Sequence, residues 1–105
     1  MEARMSKQSI KKKKISKDCW NLDQAFLKWL GERLPVYKKE AGKVVDLKFH
    51  EFEYNGERMT QEEVIDRMLE LLHQIDGLDS WDKEYEELTN ELLDLWKLVF
   101  AAMWY

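Results

Sequence analysis

The segment that most restricts how this chain can fold is its last one, LLDLWKLVFAAMWY, residues 92 to 105. Twelve of these fourteen residues are apolar, and neither Gly nor Pro interrupts them. At 100° per residue, Trp81, Tyr85, Leu88, Leu92, Leu95, Trp96, Val99 and Met103 form one stripe, opposite Lys83, Glu86, Glu87, Asn90, Glu91, Asp94 and Lys97. The spacing predicts an amphipathic helix beginning near Asp79 or Ser80. Beyond Lys97 the pattern changes. Leu93, Phe100 and Trp104 make a second stripe, and Leu98, Ala101 and Tyr105 occupy the side that was charged a turn or two earlier. A helix that is apolar all round must be covered. A bilayer does not serve, because a span needs about 20 apolar residues and Asp94 and Lys97 interrupt this one. Two coverings remain. Either the helix plugs the centre of its own domain, or the second stripe pairs with another chain, for which a symmetric homodimer is the default form. In the second case the partner-facing residues are Leu93, Leu98, Phe100, Ala101, Trp104 and Tyr105.

The rest of the chain supplies the elements around that helix. MTQEEVIDRMLELLHQIDG contains a capping box, Thr60 with Glu63, a hydrophobic staple from Met59 to Val64, and a C-terminal stop at Gly77. Val64, Ile65, Met68, Leu71, Leu72 and Ile75 share one side of this helix, with Glu62, Asp66, Glu70 and His73 on the other. Upstream, DCWNLDQAFLKWLGERL places Leu22, Ala25, Phe26, Trp29 and Leu30 at helical spacing, with Ser16 or Asp18 as cap, and Pro35 predicts a kink in one element over 19–41. Between the two, Val45, Leu47 and Phe49 alternate with polar residues and Phe52 and Tyr54 alternate in the opposite phase. That pattern predicts extended chain with a bulge or bend near His50, and Asn55–Gly56 suits a tight turn, so a hairpin here is short and marginal. The expected fold is mainly α: a small three-helix bundle with a kinked first helix and a short extended or hairpin segment between helices 1 and 2.

Charge is unevenly placed. Residues 1–17 hold Arg4, Lys7, Lys11, Lys12, Lys13, Lys14 and Lys17 against Glu2, a net of +6, so with −4 on the whole chain residues 18–105 carry −10. With few apolar residues, 1–17 are expected as a disordered basic tail before one helical domain, 18–105. The acidic body disfavours phosphate backbones and the leader favours them. A nucleic-acid or nucleotide binder using Lys11, Lys12, Lys13 and Lys14 with the tryptophans is therefore one reading, and an acidic decoy of nucleic acid is another. A single cysteine, Cys19, and lysines without a following apolar run predict a reducing, cytoplasmic setting.

Site chemistry is sparse. Glu70 and His73 have the E-x-x-H spacing of bundle metal sites, but they fall on the polar side of their helix, and Cys19, His50 and His73 lack zinc-ligand spacing. No Gly-rich phosphate loop or nucleophile elbow occurs. The expectation is no enzyme, no metal and no cofactor. Arg33 falls at the centre of the first helix's apolar side, with Asp23 beside it. A guanidinium there either binds an anion or carboxylate, or snorkels to water.

DCWNLDQAFLKWLGERL, then RMLELL, then LLDLWKLVFAAMWY resemble a group of small uncharacterised proteins encoded by bacteriophages and prophages of Gram-positive bacteria. The matching positions are Trp20, Asn21, Leu22, Asp23, Lys28, Trp29, Arg33, Leu34, Trp96 and Trp104, within residues 18–105. The group's usual proline precedes the Arg-Leu pair, whereas here Pro35 follows it. The resemblance brings no catalytic activity. It implies an accessory protein of a bacterial cytoplasm, acting by protein–protein binding in host takeover or counter-defence. With the terminal stripe, the expectation is a self-associating partner of a host or defence protein.

Overall fold

The computed structural model of the protein describes residues 7–103, with the side chains of Lys12 and of residues 14–103. Trp104, Tyr105 and the side chains of Lys11 and Lys13 lie outside that description. The fold is mainly α with one two-stranded hairpin, and the chain divides into two units, Met1–Leu30 and Gly31–Tyr105.

The first unit holds α1 (Lys7–Asp18), a 3-10 turn (Cys19–Asn21) and the first half of α2 (Leu22–Ala41). Where the sequence reading places a disordered tail, Lys7–Asp18 is helical. Lysine is a good helix former and no Gly or Pro interrupts the run, so propensity favours a helix that burial does not. All of its described side chains are exposed. In α2 the expected stripe is displaced. Leu22 is exposed and Trp29 partly so, while Leu30 is buried. The helix continues through Pro35. Proline has no N–H to offer the carbonyl of Gly31, four residues back.

The second unit contains the remainder of α2, β1 (Glu51–Tyr54), β2 (Glu57–Thr60), α3 (Gln61–Ile75), α4 (Lys83–Val99) and a closing 3-10 turn (Phe100–Ala102). The expected three-helix arrangement with an intervening hairpin is present. Its core joins Leu34 and Ala41 of α2, Leu47, the stripe Val64, Ile65, Met68, Leu71 and Ile75 of α3, and Tyr85, Leu92, Leu95 and Val99 of α4. The hairpin is antiparallel, pairing Phe52 with Met59 and Tyr54 with Glu57. Asn55 and Gly56 both have positive φ, 51° and 81°, as the tight two-residue turn demands.

The N-terminus of α3 explains why 44–50 is not a strand. Three N–H groups of its first turn need acceptors. Gln61 donates to the His50 carbonyl at 2.9 Å, Glu62 to the Leu47 carbonyl at 3.0 Å, and Glu63 to Thr60 Oγ1 at 3.2 Å. Thr60 N in turn donates to Glu63 Oε1 at 2.9 Å, completing the capping box. Two carbonyls that an extended strand would offer to a neighbour thus cap a helix instead. Asp46 folds the same segment through an Asx turn, its Oδ1 accepting from Lys48 N at 2.9 Å.

α4 begins at Lys83, later than Asp79 or Ser80, with Asp82 as N-cap. Asp82 Oδ2 accepts from Asp79 N at 3.1 Å, so 79–82 close a turn of their own. Trp81, expected on the core stripe, is therefore outside the helix and 80% exposed. The helix also ends earlier than the sequence pattern suggests, at Val99.

Candidate interaction surface

α4 uses its faces unequally. Tyr85, Leu92, Leu95 and Val99 are buried, and β1 packs along another part of the helix. A third strip runs through Thr89, Leu93, Trp96 and Phe100, at spacings of four, three and four, which is the a/d spacing of a helix-pairing seam. Leu93 is 48% exposed and Phe100 62% exposed. Trp96 is half-buried, and its ring meets Phe100 edge to face at 5.2 Å between centroids and 77° between planes. That geometry favours aromatic pairs and holds Phe100 where it stands. Thr89 Oγ1 bonds back to the carbonyls of Tyr85 and Glu86 at 2.8 and 3.0 Å, so its polar demand is met within the helix.

Of the residues expected to face a partner, Leu93, Phe100 and Ala101 are exposed, and Leu98 is half-buried. The expected partner residues Trp104 and Tyr105 lie outside the described residues.

The closing turn is tethered. Gln61, nearly fully buried, donates through Nε2 to the Ala102 carbonyl at 3.4 Å and to Tyr37 Oη at 3.3 Å. Beside Ala102 lies an open hollow of about 390 Å³ lined by Val45, Asp46, Phe49, His50 and Gln61. Phe49 is 84% exposed at its edge, and His50 stacks on Phe52 at 5.2 Å.

On the opposite side of α4, polar residues form a network that sequence reasoning missed. Arg67 of α3 grips Glu91 of α4 with two bonds, Nε to Oε2 at 2.7 Å and Nη2 to Oε1 at 3.1 Å, and Nη1 reaches Glu70 at 3.2 Å. The hydrogen bond to Glu91 is the main reason the guanidinium holds its proton more tightly than usual. Tyr54 of β1 titrates higher than an ordinary phenol, first because it is partly desolvated and then because Asp94 and Glu91 put negative charge beside it. Arg67 and Glu91 stand on different helices 24 residues apart, so only the register of α3 against α4 brings them together. On the α2 side Lys38 Nζ donates to Asp66 Oδ1, which raises the lysine's pKa.

The remaining expected sites are placed as follows. Arg33 is not in an apolar face: its side chain is 57% exposed and lies 3.6 Å from Glu32, itself exposed. Leu34 takes the buried position, in line with the half-buried Tyr37 and the buried Ala41 of the same helix. Asp23 is exposed. Lys12 and Lys14 are exposed on α1. Glu70 is engaged with Arg67 and Gln74, and His73 is exposed. Among the described residues no three His, Cys, Asp or Glu side chains are grouped to hold a metal ion, and no helix is long and apolar enough to cross a membrane. No family model matches the chain, and no curated protein or solved structure is significantly similar to it.

Proposed function

We propose that this chain works stoichiometrically, as a small binding protein and not a catalyst, and that the outer strip of α4 is its association surface. The observation that supports this is the pairing of Leu93 and Phe100, both open to water, with the half-buried Trp96 at helix-pairing spacing. A second copy of the chain is the first occupant, because a strip of this spacing is self-complementary when two copies meet across a two-fold axis. The resemblance to phage-encoded proteins supplies the setting: a bacterial cytoplasm, with a host or defence protein as the further partner.

Light scattering across a concentration series tests the association. The wild-type chain is expected to gain mass with concentration, and Leu93→Glu and Phe100→Glu to remain monomeric with unchanged helical circular dichroism. A wild-type chain that stays monomeric at every concentration, or variants that associate as it does, would remove the α4 strip from the proposal.

A further inference from the structure

We infer that α1 and the turn after it bind single-stranded nucleic acid. The helix KQSIKKKKISKD carries six lysines and, before its final Asp18, no acidic residue. Lys14 and Lys17 are three apart. That spacing sets like charges beside one another on the helix, which weakens it unless counter-charge is supplied. Among the described residues no ion pair involves Lys12, Lys14 or Lys17, and all three are exposed. A polyanion relieves the repulsion and releases its own counterions in doing so. The attraction is local: residues 1–30 hold eight Lys/Arg and three Asp/Glu, a net of +5, which leaves −9 on residues 31–105.

Three features choose among polyanions. An anionic membrane is disfavoured because a surface-bound helix needs an apolar face. The two isoleucines of α1, Ile10 and Ile15, are five residues apart and so fall on different sides of it. An aromatic platform adjoins the cations: Trp20, in the 3-10 turn directly after α1, is 80% exposed, and Lys14, Lys17 and Trp20 follow at intervals of three. Cations tracking a backbone with an exposed indole beside them are the elements of single-strand recognition, in which an unpaired base stacks on the ring. A paired base has no free face to give.

The test uses the full chain and labelled oligothymidylate and oligouridylate longer than one site, with a duplex and phosphatidylglycerol vesicles alongside. Anisotropy is followed from about 50 to about 200 mM salt. The expected result is single-strand binding that weakens steeply with salt, to DNA, RNA or both. Replacing Lys12, Lys14 and Lys17 with glutamine should lower the slope of log K against log salt by about 2, at roughly 0.7 per lost contact. Trp20→Ala should weaken binding roughly tenfold and leave that slope unchanged. No single-strand binding at low salt, an unchanged slope in the lysine variant, or binding to vesicles alone overturns the inference. Duplex bound as tightly as single strand, with Trp20→Ala indifferent, overturns it too.

Discussion

Leu93 and Leu95 stand two residues apart in α4, and the fold assigns them opposite fates: Leu95 is fully buried and Leu93 is 48% exposed. Truncating each to alanine makes the same chemical change in the same helix, where alanine is slightly the better helix former. Leu95→Ala opens a cavity between α3 and α4 and should cost about 2–5 kcal/mol. Full burial of a leucine side chain is worth about 1.5–3 kcal/mol, so at about half exposure Leu93→Ala should cost about 1 kcal/mol or less in an isolated chain. At about 4–8 °C per kcal/mol for a unit of this size, that separates a drop of roughly 10 °C or more from one of about 5 °C. Urea unfolding followed by far-ultraviolet circular dichroism, at low and high protein concentration, reads both costs. Association stabilises by mass action, so the wild-type chain should gain stability with concentration while Leu93→Ala does not, and their difference should widen. The Leu95→Ala deficit should stay large at both concentrations. Equal costs for the two variants in dilute solution would place Leu93 inside the core. A Leu93 deficit independent of concentration would detach the α4 strip from self-association.

Other outcomes follow from the polar contacts. Thr60→Ala removes the Oγ1 that accepts from Glu63 N and should cost about 1 kcal/mol, seen as a lower urea midpoint at unchanged slope. A double-mutant cycle with Arg67→Ala and Glu91→Ala should give a coupling of about 1 kcal/mol, reduced by salt. The bidentate geometry is good, but 34% of the arginine and 28% of the glutamate side chain remain open to water. Tyr54 has a raised pKa in the folded state, so its contribution is full below the ordinary phenol value near 10 and is lost as pH rises through the folded value. Tyr54→Phe should therefore lessen the fall in melting temperature on going to strongly alkaline pH, compared with the wild type.

α3 was legible in the sequence because its signals are local and agree: a capping box, a five-residue buried stripe and a terminal Gly77, found at φ 92°. The hairpin turn was legible for the same reason, since Asn55–Gly56 meets its φ requirement without help from the rest of the fold. Elsewhere a long-range or competing term intervened that local pattern does not show. Val45, Leu47 and Phe49 alternate as a strand does, but the carbonyls of Leu47 and His50 are committed to the first turn of α3, about a dozen residues later. Arg33 falls at the centre of the side marked by Leu22, Phe26 and Trp29, whereas the buried residues of α2 are Leu30, Leu34 and Ala41. α1 lacks any apolar stripe, which argued for a tail, yet its lysines are helix formers. In the candidate surface, Leu93 and Phe100 were readable as surplus apolar residues. The exposed Trp20, Trp81 and Phe49 were not, because each looked like core from spacing or composition alone.

The exposed Phe49 and Phe100 sit on backbone that is held in place, which bears on the proposed association. Phe49 follows Asp46, whose Asx turn and whose carbonyl, accepting from Phe49 N at 3.1 Å, fix the local backbone, while the flanking carbonyls of Leu47 and His50 bond to α3. Phe100 is braced by Trp96, and the turn it begins is tied to buried Gln61 through Ala102. Binding is weakened by the freedom that side chains and loops must give up, so a surface whose backbone is already fixed loses less on meeting a partner. The same bonds that stabilise the N-terminus of α3 therefore also fix the backbone beside Ala102. Gln61 links the two, since its backbone N–H is held by His50 and its side chain holds the end of the chain's last turn.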